Sequence, residues 1–157
     1  MIIGLDPGAN GAICLLKKDM TFEYHVFKGS SPADKVREMH KICLGLPLCP
    51  VVFEDVHSIF GMSAKSNFNF GKTIGIQYAL CILNFPMIVE ISPKDWQKFV
   101  ITDEDKVGSK NTKETALKAA KRLFPEQNFI PEGCRVPHDG LVDSVLIAYY
   151  GLCNINN

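Results

Sequence analysis

Apolar residues fall along this chain in short clusters whose spacing changes from segment to segment. From Met1 to Asp6 an apolar run closes on an acid. A second run, Gly11 to Leu16, follows the turn residues Pro7, Gly8, Ala9 and Asn10, and Thr21 to Phe27 alternates polar with apolar positions. Apolar stretches of this length bounded by turn residues predict strands, here three joined by hairpins. Ser31-Pro32-Ala33-Asp34 then opens a predicted helix to about Leu44. Proline stands at its first position, where a missing N–H costs nothing, and Val36, Met39, Ile42 and Cys43 follow at helical spacing. Pro47 and Pro50 close it, and Val51 to Glu54 predicts a fourth strand, again ending in an acid.

Helical spacing dominates the second half. Asn67 to Leu83 places Phe68, Phe70, Ile74, Tyr78 and Cys81 at helical intervals, while Gly71 and Gly75 lower the propensity and permit close packing. Met87 to Ile91 predicts a fifth strand, and Ser92-Pro93 caps a helix to Val100 that carries the only tryptophan, Trp96. Thr102 to Lys110 mixes acids, lysines, glycine and serine without apolar period, which predicts a mobile surface loop. Thr112 to Phe124 is amphipathic, with Ala116, Leu117, Ala120 and Leu123 inward and Pro125 ending it. His138 to Leu152 is the last predicted helix. Three hairpin strands, helix, strand, helix, strand, helices: this order predicts one α/β domain over residues 1–157, a mixed five-stranded sheet with helices on both faces.

Composition adds little to that picture and charge adds more. The 157 residues, 46% hydrophobic and 22% charged, suffice for one buried core. The longest apolar stretches, such as Val145 to Tyr150, fall far short of the roughly 20 residues that span a bilayer. The strand-like start after Met1 lacks the basic region and apolar core of a signal peptide, so a soluble protein in the cytoplasm, with no membrane partner, is expected. Cys14, Cys43, Cys49, Cys81, Cys134 and Cys153 form no C-x-x-C pair and mostly lie in apolar runs, which favours reduced, buried thiols over a disulfide or zinc framework. With 17 basic and 17 acidic side chains the chain is neutral, so any attraction for nucleic acid must be local. Lys106, Lys110, Lys113, Lys118, Lys121 and Arg122 face only Glu114 across that stretch, a local excess of five. Such a run is either a solvated helix face or an electrostatic footprint on phosphates.

Carboxylates supply the candidate chemistry. Asp6 and Glu54 end apolar strands, where a lone acid is expensive to bury unless paired or bound to metal. Asp139 and Asp143 are four residues apart, so one helix face can present both. Several carboxylates with little His or Cys nearby form a hard-oxygen site, suited to Mg²⁺ or Mn²⁺ and not to zinc. Each acid also has a plain alternative: Asp6 as a turn residue, and Asp139 as a helix-start acid favoured by the helix dipole.

At these residues the chain resembles a known family. Ile3-Gly4-Leu5-Asp6-Pro7-Gly8, followed by Gly11-Ala12, is similar to the first motif of RuvC-like Holliday junction resolvases, in which the aspartate binds metal. Phe53-Glu54 matches the family's second acid, and Asn67-Phe68-Asn69-Phe70-Gly71-Lys72 with Gly75 resembles the Phe-x-x-Gly segment of phage, bacterial and organellar members. Pro93-x-x-Trp96-x-Lys98, Lys113-Glu114-x-Ala116 and Leu123-Phe124-Pro125 extend the likeness. The stretch from His138-Asp139-Gly140 through Asp143 to Tyr150-Gly151 looks like the family's last signature. Bacterial RuvC proteins space their last two acids three apart and not four, so Asp139, Asp143 and His138 all stay open as ligands.

The resemblance, which covers nearly the whole chain, implies an RNase H-like fold and a structure-selective DNA endonuclease. Two Mg²⁺ ions, replaceable by Mn²⁺, would be held by Asp6, Glu54 and the Asp139/Asp143 pair, leaving 5′-phosphate and 3′-hydroxyl ends. It implies branched DNA, a four-way junction, as substrate. It implies a homodimer nicking symmetrically, with Asn67 to Leu83 as the interface. By the resemblance Lys98 and Lys113 would contact phosphates; Lys72, in the segment with Phe68 and Phe70, and Lys110 and Lys121, from the locally basic run, are further candidates for DNA contact. Phe68 and Phe70 would stack on bases exposed at the branch point, core packing being the alternative. Rival readings are an RNase H-type or flap nuclease on the same fold and a catalytically silent junction-binding module. An actin-like ATPase shares the first motif but needs two such domains.

Overall fold

In a computed structural model, which describes residues 1–8, 10–28, 31–58 and 61–155, the chain folds around one five-stranded sheet. Strands β1 (Ile2–Asp6), β2 (Ala12–Leu16) and β3 (Phe22–Val26) form an antiparallel meander; after helix α1 (Pro32–Gly45), strand β4 (Val51–Glu54) pairs parallel to β1 on its other side. Helix α2 (Ala64–Asn84) crosses to β5 (Ile88–Ile91), parallel to β4, which gives the order β3-β2-β1-β4-β5. Helices α3 (Pro93–Val100), α4 (Asp103–Lys106), α5 (Thr112–Leu123) and α6 (Asp139–Asn154) complete the chain. Ala9 of the expected first turn, and Gly29 and Ser30 after β3, lie outside the described residues. Among those described, no helix is long and apolar enough to cross a membrane.

Central strands are buried on both faces, and strand alternation sorts their side chains. Ile3, Leu5, Ile13, Leu15, Val51 and Phe53 pack with Met39 and Cys43 of α1 and Cys81 of α2. Ile2, Cys14, Leu16 and Val52 pack on the opposite side with Trp96 and Val100 of α3, Ala116, Ala119 and Ala120 of α5, and most of α6. Helix α6 lies directly on β1. A side chain at Gly4 would bring its Cβ to 2.2 Å from the Ser144 carbonyl oxygen and 2.4 Å from the Ala148 nitrogen, so glycine alone permits that approach.

Where the structure departs from the pattern, polar interactions explain the difference. Helix α2 begins at Ala64 and not at Asn67, because the Ser63 hydroxyl caps it by accepting from the Ser66 N–H, in a first turn whose only apolar residue is alanine. The segment 102–110, expected to be a mobile loop, contains α4. Asp105 there is buried, accepts from the Thr102 N–H at 2.9 Å, and binds the Arg122 guanidinium of α5 at 2.8 Å. On α5 the buried positions are Thr115, Ala116, Ala119 and Ala120, whereas Leu117 and Leu123 are only half-buried. None of the six cysteines forms a disulfide; Cys14, Cys43, Cys49 and Cys81 are buried, while Cys134 is exposed.

Candidate active site

Parallel pairing of β1 with β4 sets Leu5 opposite Phe53, so the next residues, Asp6 and Glu54, stand side by side at the carboxyl ends of neighbouring strands. Since Leu5 and Phe53 point to the α1/α2 face, Asp6 and Glu54 point to the α6 face. Glu54 is buried, and the indole N–H of the fully buried Trp96 donates to its Oε1 at 2.8 Å. Helix α6 brings the remaining acids. Its first turn sits on Asp6 so closely that a Cβ at Gly140 would lie 2.9 Å from Asp6 Oδ2 and 2.4 Å from the Asn10 carbonyl oxygen. Asp143, one turn further on, faces the same cleft.

The gathered charges repel one another. Burial, then the neighbouring Asp143, Glu54 and Asp139, holds the Asp6 carboxyl well above the usual carboxylate range. Asp143 is pushed up to about 7 by burial first and by Glu54 and Asp139 second, with Lys113 pulling weakly the other way. Burial also raises Glu54, against the opposing effect of the Trp96 N–H and of its hydrogen bond with Asp6. A cluster that keeps protons near neutral pH has a surplus of negative charge that a divalent cation relieves. Its donors are all oxygen, which fits Mg²⁺ or Mn²⁺. Among the described residues no three histidine, cysteine or carboxylate groups already surround one point. Asp139, exposed at the rim, is instead held by the Lys113 ammonium at 2.5 Å.

His138 takes another role: it is the N-cap of α6, its Nδ1 accepting from the Leu141 N–H at 3.2 Å. The other expected contact residues are scattered around the cleft. Lys98, with Lys94 and Lys106, lines a groove of about 720 Å³ between α3 and α5 that also includes Thr112 and Thr115. Phe68 is 73% exposed, Lys72 is exposed, and Phe70 is half-buried. The basic run is partly neutralised. Arg122 binds Asp105, Lys106 binds Asp103, Lys113 binds Asp139, and Lys118 donates to the Val107 carbonyl oxygen. Lys110 and Lys121 stay exposed, and no carboxylate lies within ion-pair distance of them among the described residues. Sequence reasoning overlooked two residues: Trp96, which stood in a motif without a role, and Gln77, a polar residue buried on α2 between Thr73 and Cys81.

No family model and no curated protein matches the sequence. Solved structures do. RuvC of Thermus thermophilus in complex with a Holliday junction substrate superposes with a TM-score of 0.61 at 15% identity, over 96% of this chain and 92% of that one. A second structure of Thermus thermophilus RuvC gives 0.57 at 16% identity over the same shares. The yeast mitochondrial Holliday junction resolvase Ydc2 gives 0.60 at 17% identity, over 95% of this chain and 76% of that one. The fold is therefore the RuvC-like form of the RNase H-like architecture.

Proposed function

We propose that this protein is a metal-dependent endonuclease that resolves four-way DNA junctions. The observation that carries the reading is the convergence of Asp6, Glu54 and Asp143, with Asp139 at the rim, on a fold shared with Holliday junction proteins. Three separate elements deliver these acids, and their mutual repulsion is the signature of a site built for a cation. Asp6, Glu54 and Asp143 would hold Mg²⁺, and Asp139 would join them by leaving Lys113. A metal held by these acids would supply activation of water for in-line attack on a phosphodiester and charge neutralisation at the departing 3′ oxygen, chemistry that would leave 5′-phosphate and 3′-hydroxyl ends.

The chain's own residues orient and neutralise. Trp96 fixes one oxygen of Glu54 and leaves the other for the cleft. Lys113, released from Asp139, would take a phosphate oxygen next to the scissile bond. Lys94 and Lys98 in the α3/α5 groove would carry the flanking backbone. Phe68 offers a free aromatic face to an unstacked base at the branch point. Two symmetric nicks call for two sites, and α2 supplies a surface for a second copy. Its exposed Ile82 and Leu83, with Met87 beyond, continue the open helix face at Gly71 and Gly75. The deciding experiment is incubation with a mobile four-way junction, a flap and an RNA/DNA hybrid, with and without Mg²⁺, mapped at nucleotide resolution. Paired nicks confined to the junction are expected. Preference for the hybrid or the flap would replace this reading by a rival on the same fold, and binding without cleavage would make the protein a junction-binding module.

A further inference from the structure

Helix α2 buries one polar side chain more deeply than any other. Gln77 is 3% exposed, on the face that also buries Thr73 and Cys81, where an apolar residue would be the default. Both ends of its amide are engaged. Oε1 accepts from the Gly8 N–H at 3.0 Å and Nε2 donates to the Gly8 carbonyl oxygen at 3.4 Å. Gly8 stands two residues after Asp6, in the link where β1 has ended and β2 has not begun, so its peptide groups have no strand partner. Two turns earlier on α2, the Phe70 ring lies where a Cβ at Gly8 would be 3.4 Å away. Thus α2 grips the turn carrying Asp6 at two points, while its outer face presents Phe68, Ile82 and Leu83 to solvent.

We propose that Gln77 is a positioning residue for Asp6: its amide fixes the Gly8 peptide, aims the Asp6 carboxylate into the cleft, and makes the site's cation affinity depend on how α2 is seated. The inference rests on the metal-dependent reading above and deepens it by naming a route of regulation. A second copy of this chain seated on the exposed Ile82 and Leu83 of α2 would act on the metal site through this amide. Gln77 touches no substrate or cation itself.

The test uses Trp96, the only tryptophan, whose bond to Glu54 makes its fluorescence a reporter of cation binding without DNA. Mn²⁺, and Mg²⁺ in competition, are titrated into the full-length protein and into Gln77→Met and Thr73→Val, all well below their melting temperatures. Thr73 is buried on the same face but bonds Lys35 and the Asn69 carbonyl, not Gly8, so its variant controls for general loosening of α2. Gln77→Met is expected to raise the Mn²⁺ midpoint by about tenfold, the scale of lost outer-sphere support, with Thr73→Val unshifted. A midpoint within about twofold of wild type in Gln77→Met, or an equal shift in Thr73→Val, overturns the proposal while leaving the metal site standing. Absence of saturable binding to the wild type sinks the metal reading and the positioning role with it. If Gln77→Met does not fold, Gln77→Glu serves. It keeps the acceptor for the Gly8 N–H and loses the donor, so weaker cation binding despite the added negative charge supports the proposal, and tighter binding overturns it.

Discussion

Asp6 concentrates two opposed consequences in one side chain. It is a candidate ligand, and without a cation it is also a source of repulsion against Asp143, Glu54 and Asp139. Asp6→Asn keeps the shape and removes the charge, so junction cleavage should vanish while junction binding stays within a few-fold of wild type. The cation-free variant should be more stable by roughly 1 kcal/mol, as relieved active-site strain commonly gives, and so melt higher. Unchanged cleavage in Mg²⁺ would remove Asp6 from the site, and a lower melting temperature would contradict the repulsion. Asp105 is the reverse case. The Arg122 guanidinium, aided by Thr102, lowers its carboxyl from the ordinary 3.8 to about 2. A depressed carboxyl contributes stability that is present above its unfolded value, about pH 4, and lost as pH falls through about 2. The difference is worth roughly 2 kcal/mol. Asp105→Asn should therefore lower stability by about that amount at pH 7 and flatten acid unfolding between pH 4 and 2, measured by denaturant midpoints across pH.

Among the elements, α5 and α2 show what spacing conveys and what it leaves out. The positive excess between Lys106 and Arg122 was visible in the chain, but the acids of α4 that consume part of it lie just upstream, in a segment without apolar period. Only the fold brings Asp105 to Arg122 across 17 residues. The footprint on DNA then narrows to the unpaired lysines. Replacing Lys110 and Lys121 together by Ala should flatten the dependence of log affinity on log salt by about 2 units, since each phosphate no longer neutralised accounts for about 0.9. An Asp6→Asn background prevents cleavage during the measurement, and an unchanged slope would return these lysines to simple solvation. On α2, Ile82→Asp with Leu83→Asp changes exposed positions only, so the fold should stand and the melting temperature should fall only by what the lost association contributed. Sedimentation should show a dimer becoming a monomer, and junctions should receive single nicks. Persistent dimers would place the second copy elsewhere.

At the scale of the molecule, the carboxyl ends of β1 and β4 and the first turn of α6 meet in one cleft, so a cation bound there would be linked to folding. A ligand of the native state at 100 times its dissociation constant adds about 3 kcal/mol, roughly 6–10 °C for a chain of this size. Mg²⁺ or Mn²⁺ should raise the melting temperature by that order in wild type and far less in Asp6→Asn. An equal rise in both would put the stabilising cation away from this cleft.

Much of this was legible along the chain. Period-two and period-3.6 patterns, with their capping residues and prolines, specify the strands and nearly all the helices, because burial of one face is a local constraint written into every segment. Acids closing the apolar strands at Asp6 and Glu54 marked the candidate site that the fold gathers, because a carboxylate there is costly to bury unless paired or bound to metal. Tertiary structure decided the rest. Strand order puts Asp6 beside Glu54, and the absent side chain at Gly4 lets α6 descend on them. Trp96, Lys113, Asp105 and Gln77 acquired partners 42, 26, 17 and 69 residues away. No local pattern encodes such bonds, since a polar side chain's partner is set by which backbone the packed core brings within about 3 Å of it.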